Sequence, residues 1–317
     1  MTESVLIPAL ADAMVRVTEI TAIAASKEVG RGQEKVADQA AVDAMRTAFN
    51  AIDFRGRVVI GEGERDEAPM LYIGEEVGTG TGPEIDIALD PLEGTTLTAK
   101  AMANALAVLA IAPRGGLLFA PDTYMDKIAI GPGYAPGLVG LDKSPADNVR
   151  ALADAKGVSA ADITVCVLDR PRHAEIIAEL RGIGSRIKMI TDGDVAGVIN
   201  TTDPSTGVDL YIGSGGAPEG VLAAAALKCV GGQMQAKLIF RNDEERGRAE
   251  RVGVTDFDKT YDLQELASGE TVFCATGVTS GELLDGVRTA GGAIHTHTLV
   301  MTSADGMVRK IQSAHRV

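Results

Sequence analysis

Carboxylates, a glycine and two hydroxyls meet in one short stretch, Ile85-Asp86-Ile87-Ala88-Leu89-Asp90-Pro91-Leu92-Glu93-Gly94-Thr95-Thr96. The apolar run reads as a buried strand that delivers Asp90 to its end. Pro91 fixes one backbone angle and is expected to stop the strand, and Glu93 follows on a rigid turn. Gly94 lets the backbone approach a ligand closely. Thr95 and Thr96 open a short helix whose free N–H groups and positive dipole end suit a phosphate. Two carboxylates beside such a cradle repel the phosphate, and a divalent cation between them resolves the conflict. Taken alone, the same string also reads as an ordinary strand–turn–helix junction with Asp90 and Glu93 as caps.

Three other places carry chemistry. The β-branched run from Arg57 to Ile60 ends in Gly61-Glu62-Gly63-Glu64-Arg65-Asp66-Glu67, a concentration of acids that repel one another unless solvated or cation-bound. The strand Ile163–Leu168 runs into Asp169-Arg170-Pro171-Arg172-His173, two guanidinium groups whose forks match phosphate oxygens. The third, Gly213-Ser214-Gly215-Gly216-Ala217-Pro218-Glu219-Gly220, has the opening of a dinucleotide fingerprint but lacks its third small residue. It reads better as a metal-site loop, with glycines bringing backbone close to substrate and Glu219 at the start of the helix Val221–Lys228.

Together these strings resemble the lithium-sensitive, metal-dependent sugar and inositol phosphatases, whose signature is Asp-Pro-x-Asp/Glu-Gly-Thr/Ser. Glu93 in the fourth place and Gly-Gly-Ala-Pro-Glu-Gly from Gly215 narrow the resemblance to the class II fructose-1,6-bisphosphatases. It runs from Gly30 to His315. The resemblance implies that Asp38, Glu62, Asp90, Glu93 and Glu219 hold two or more Mg²⁺ or Mn²⁺ ions, all-oxygen ligation suiting hard cations. By spacing alone Asp38 is a helix cap. Thr95 is implied to orient the attacking water or take part in its proton transfer, and Glu64 and Asp66 to hold a further cation or orient water. The substrate contacts implied are Glu93, Gly94, Thr95, Tyr124, Arg170, Pro171, Arg172, Asp192, Gly193, Asp194 and Gly216. Asp192 and Asp194 would accept hydrogen bonds from sugar hydroxyls. The activity implied is hydrolysis of the C1 phosphate of fructose 1,6-bisphosphate; sedoheptulose 1,7-bisphosphate is the alternative substrate, and a non-catalytic regulator that binds metal and phosphosugar is the reading from another class.

The elements that must position these groups follow the hydrophobic rhythm. Leu10, Met14, Val17, Ile20 and Ile23 mark a helix that Gly30 ends, and a second helix begins near Lys35. Ala105–Ala112 is continuously apolar, a strand covered on both faces. From Ser144 the rhythm alternates helix and strand. A first lobe, residues 1–140, is expected to bind metal through the Asp-Pro-Leu-Glu-Gly-Thr motif, and an α/β lobe, residues 141–317, to complete the substrate and metal site. The expected fold class is α/β, in the layered αβαβα arrangement that the resemblance implies. Arg241–Arg251 reads as a solvated charged loop or frayed helix, and Gly281–Val287 as the start of a helix. His295 and His297 lie two apart without a third ligand nearby and read as structural.

At 317 residues the chain suggests two cores of about 150 residues each. Its net charge of −14 argues against nucleic acid or an anionic membrane as partner. Cys166, Cys229 and Cys274 sit in apolar runs as reduced core residues. No apolar stretch reaches the ~18 residues that span a bilayer, and the N-terminus has no leader pattern, so the expected location is cytoplasmic. A homo-oligomer, dimer or tetramer, is expected on general grounds.

Overall fold

The computed structural model of the chain describes residues 6–63 and 70–316. The chain forms two units, Met1–Leu118 with Ala267–Val317, and Phe119–Leu266. The first unit begins with helices α1 (Leu6–Ala9), α2 (Ala11–Ser26) and α3 (Glu34–Phe49). Ala37, Ala41, Val42, Met45 and Phe49 recur at helical spacing, so α3 buries one stripe and leaves the flanking Asp38 half-exposed. In α2 the buried face is built from Met14, Val17, Thr18, Thr21, Ala22 and Ala25, whereas Ile20 points to solvent. Strands β1 (Arg55–Ile60), β2 (Glu76–Val77) and β3 (Glu84–Glu93) follow, then the five-residue helix α4 (Thr95–Ala99) and β4 (Leu106–Pro113). Every residue of β4 from Leu106 to Ala112 is buried, as its unbroken apolar run requires.

The second unit carries β5 (Tyr124–Ile130), α5 (Pro145–Lys156), β6 (Thr164–Leu168), α6 (Ala174–Gly182), β7 (Arg186–Ile190), α7 (Asp194–Ile199), β8 (Leu210–Gly216), α8 (Ala217–Val230), β9 (Gln233–Ile239), α9 (Asp243–Arg251), β10 (Thr260–Asp262) and α10 (Leu263–Leu266). Its six-stranded sheet has the order β10-β9-β5-β8-β6-β7. β6 is parallel to β7 and β8, while β5 is antiparallel to both β8 and β9. The carboxyl ends of β6, β7, β8 and β9 and the start of β5 therefore share one edge, where open α/β sheets bind ligands. The core packs Ile128, Val149, Leu152, Val165, Val167, Leu180, Leu210 and Ile212.

The chain then returns to the first unit as β11 (Val272–Gly277), β12 (Arg288–Ala290), β13 (Ala293–Thr302) and β14 (Met307–Arg316). The sheet order β12-β13-β11-β4-β3-β1-β2, with β14 on β13, puts β11 directly beside β4. One boundary near residue 140 therefore does not describe the chain: the last fifty residues supply inner strands of the first sheet, and the second unit is inserted between β4 and β11. Met45, Phe49, Phe54, Ile85, Ile87, Leu109, Ile111, Cys274 and Val300 share one core. All three cysteines are buried and free. The two units together form an α/β fold of mixed sheets and helices.

Three local expectations are corrected. Pro91 does not end its strand: β3 continues to Glu93, and the pairing with β4 shifts between Asp90 and Glu93, a bulge where the missing N–H is tolerated. Gly213–Gly216 is not a loop but the last part of β8, held between β5 and α8, which begins at Ala217. Residues 281–287 are not helical; Leu283 and Leu284 are buried from an irregular segment closed by Gly281 N–H donating to Leu284 O.

Candidate active site

In the first unit the acidic residues arrive from three elements. β1 and β3 run parallel, with Ile60 paired to Ala88, so the residues just beyond their ends lie side by side. Glu62 follows β1, Asp90 and Glu93 occupy the bulged end of β3, and Asp38 lies in the second turn of α3. α3 starts at Glu34 after Gln33, so Asp38 is not a helix cap. Asp90 and Glu93 bring carboxylate oxygens within 4.8 Å of each other. Asp90 Oδ1 also accepts a hydrogen bond from Leu92 N–H at 2.9 Å, which fixes the carboxylate across the proline.

Glu62 shows what this grouping costs. Burial first, then the charges of Asp90 and Asp38, push its carboxyl up to about 9. Burial also raises Asp38. Carboxylates forced together in this way either take up protons or hold a cation. Oxygen-only donors on strand ends and a helix suit a hard divalent ion, so the residues present fit the metal that the sequence implies.

The hydroxyl-bearing turn stands beside them. Gly94 has φ +91°, and a Cβ there would come within 2.8 Å of Leu97 Cδ1, so glycine is required on both counts. Thr95 is the first residue of α4, and Thr96 Oγ1 donates to Glu34 Oε1 at 2.8 Å, tying the start of α4 to the start of α3. Glu64 and Asp66, together with Arg65, lie outside the described residues.

The second unit gathers the remaining candidates on one sheet edge. Tyr124 opens β5 opposite Gly216 and Ile239, the ends of β8 and β9. Arg172 reaches over from the turn after β6: its Cζ lies 4.8 Å from the Tyr124 ring centroid, and its Nη2 donates to Ser214 O at 2.7 Å. Pro171 sets the first residue of that turn. Arg170 donates to Asp169 O, and among the described residues neither Arg170 nor Arg172 forms an ion pair. His173 is buried and locks the turn to β8. Its Nε2 accepts Ser214 N–H at 2.8 Å while Nδ1 donates to Leu168 O at 2.7 Å, and burial holds its pKa below the ordinary value.

Asp192 is half-buried beyond β7, and Gly193 (φ +83°) caps α7. Asp194 differs from expectation. It is buried, its Oδ2 is ion-paired with the equally buried Lys127, and Tyr211 OH donates to the same oxygen at 3.4 Å. Lys127 also donates to Gly216 O at 2.9 Å, so one buried ammonium fastens the Gly193 turn to the end of β8. A Cβ at Gly216 would meet the Glu219 carboxylate and displace it. Glu219 is half-buried in the first turn of α8.

A model of the family described as bacterial fructose-1,6-bisphosphatase, glpX-encoded, matches residues 8–315. The chain belongs to this class II fructose-1,6-bisphosphatase family. Proteins described as D-fructose 1,6-bisphosphatase class 2/sedoheptulose 1,7-bisphosphatase are similar along their length. One from Synechococcus sp. (strain JA-3-3Ab) is 46% identical over 327 residues, covering 95% of this chain and 94% of its own. Another, from Prochlorococcus marinus (strain NATL1A), is 44% identical over 320 residues and 96% of each chain. This is a family of metal-dependent phosphoric monoester hydrolases, and the carboxylate group of the first unit is where such a member would bind metal.

One residue of the second unit's sheet edge escaped the sequence reading. Arg241, at the end of β9, has its Cζ 4.7 Å from the same Tyr124 centroid. It precedes Asn242, whose side chain accepts Glu245 N–H, while Glu245 Oε2 accepts Arg241 N–H at 2.7 Å. The spacing Asn-x-x-Glu is a capping signature that marks α9 as a defined helix rather than a loop.

Proposed function

We propose that the chain hydrolyses the C1 phosphate of fructose 1,6-bisphosphate to give fructose 6-phosphate and inorganic phosphate. What supports this above all is the convergence of Asp38, Glu62 and Asp90 beside the Gly94–Thr95 turn, in a member of this family. Asp38, Glu62, Asp90 and Glu93, with Glu219 assigned by its motif, would hold two or more Mg²⁺ or Mn²⁺ ions. When bound, such ions lower the pKa of a water and offset negative charge on the phosphate.

The protein's own groups do the rest. Amides of Gly94–Thr96 hold the scissile phosphate, with Glu93 and Gly94 at its border. Thr95 Oγ1 aligns the attacking water and relays its proton, and Glu64 and Asp66 assist in orienting it. In the second unit Arg170 and Arg172, on the turn that Pro171 shapes, grip the other phosphate. Tyr124 and Asp192 face the sugar, with the backbone of Gly193 and Gly216 at its edge. Asp194, committed to Lys127, acts by fixing that turn. Residues 1–140 would carry the metal function and later segments, Glu219 among them, would complete it.

The relatives' shared name favours sedoheptulose 1,7-bisphosphate as a second substrate. No described helix is long and apolar enough to cross a membrane; a cytoplasmic homo-oligomer, dimer or tetramer, is the accompanying proposal, which light scattering tests. The function itself is tested by measuring phosphate release from both bisphosphates side by side with Mg²⁺, Mn²⁺ or EDTA. Release that needs metal and stops with EDTA is expected. A folded, metal-loaded protein that releases phosphate from neither ester would overturn the assignment.

A further inference from the structure

Two guanidinium groups reach the Tyr124 ring from strands on either side of β5. Arg241 comes from the neighbouring β9, and Arg172 comes from beyond β6, across the end of β8. Like charges drawn to one ring repel each other, and the negative face of the ring offsets only part of that cost. Their anchors differ. Arg172 is held by neutral acceptors, Ser214 O and Ser214 Oγ. Arg241 Nε donates to Glu245 Oε1 at 2.6 Å, and Glu245 is 1% exposed, fixed also by Thr123 Oγ1 and by Arg241 N–H. A buried carboxylate with three donors is a rigid post for a guanidinium that is itself exposed.

We infer that Arg241, held by Glu245, forms with Arg172 and Tyr124 the seat for the phosphate that is not cleaved, and so makes the enzyme demand a bisphosphate. The inference rests on the phosphatase reading above for its substrate. An exposed fork beside a second cation without a carboxylate suits a phosphate dianion bound bidentately. The Tyr124 ring is neutral and touches both guanidinium groups, with its centroid 4.8 Å from Arg172 Cζ and 4.7 Å from Arg241 Cζ. Arg241 contributes only to binding this distant group, so it should act on KM and on the preference for two phosphates over one, not on the chemical step.

The test compares Arg241→Gln, which keeps a hydrogen bond to Glu245, and Glu245→Gln with the unaltered protein. Substrates are fructose 1,6-bisphosphate and fructose 1-phosphate, which lacks the distal group. For Arg241→Gln a rise in KM for the bisphosphate of roughly ten- to hundredfold is expected, with little change in kcat. Hydrolysis of fructose 1-phosphate should be unaltered. Glu245→Gln should shift the same parameter less. Equal losses on both esters, or no loss on either, would overturn the inference. Calorimetric binding of fructose 6-phosphate separates this from failure of the phosphatase reading. Should the unaltered protein hydrolyse neither ester, weaker binding by Arg241→Gln still supports the seat. Equal binding by both proteins, or none by the unaltered one, refutes it.

Discussion

A carboxyl that holds its proton to about pH 9 is a group short of positive charge, and Glu62 is such a group. Its sign is unusual for an acid. The folded state binds the proton more tightly than the unfolded state, so without metal, stability falls as pH rises from about 4.5 to about 9. Glu62→Gln should therefore raise the melting temperature of the EDTA-treated protein at pH 8 and flatten its pH dependence, while removing the stabilisation that Mg²⁺ or Mn²⁺ confers and cutting turnover about a hundredfold or more. Thermal melts with and without metal decide it; a metal-induced shift that survives the substitution would remove Glu62 from the ligand set. Lys127 is the opposite case, a buried cation already matched by Asp194. Lys127→Met leaves that buried carboxylate without its counter-ion, with Tyr211 OH still donating to it, and should cost about 3–5 kcal/mol in denaturant unfolding. An effect under about 1 kcal/mol would show the pair to be dispensable.

At the scale of elements, the turn Arg170–His173 joins stability to binding. Neutral His173 accepts Ser214 N–H, and a protonated ring cannot. Its pKa lies below 6.5 in the fold, so the unfolded chain takes the proton first, and stability present above pH 6.5 is lost as pH falls through the folded value. Asp126, raised by burial nearby, titrates in the opposite sense. Melting temperature should fall between pH 7 and pH 5, and His173→Gln should remove most of that slope while lowering stability at pH 7.5. An unchanged slope would assign the loss elsewhere. These elements also show how far residues alone carry. β4 and β6 lie where the sequence places them, because their apolar runs agree with the packing. The last part of β8 reads as a loop because Gly213–Gly216 has poor strand propensity, and pairing with β5 along its whole length overrides it. The segment 281–287 carries Leu283, Leu284 and Val287 at helix-like spacing, yet Leu283 and Leu284 are buried and Val287 half-buried from a non-helical chain that bends at Glu282–Leu284. Most of the candidate site lay in strings that could be read, since glycine, proline and carboxylates are local signals. Arg241 was not among them: its partner Tyr124 is 117 positions away, and only the register of β5 with β9 brings them together.

Across the whole molecule, the second unit is one uninterrupted segment of sequence, and the first is made from both ends of the chain. Leu117 and Ala267 bridge at the junction, and Ser268 N–H donates to Gly116 O at 2.7 Å, so the insert leaves the first sheet where it entered. The segment 119–266 contains all six strands of its sheet and should fold alone, giving a single cooperative unfolding transition by circular dichroism. The segment 6–118 lacks β11 and β13 and should not. A cooperative transition in the shorter piece would mean that β1, β3 and β4 with α2 and α3 suffice.

Chain order also sets a timetable. β4 leaves the ribosome with one long apolar edge exposed, and its partner β11 is made only after the whole insert. At roughly 5–20 residues per second that wait lasts on the order of ten seconds or more. During that interval the insert can finish its own sheet, while the strand that carries Asp90 and Glu93 stands next to an edge open to any nascent neighbour. The first sheet is thus completed last, and slow synthesis or crowding of polysomes endangers the half of the protein that was translated first.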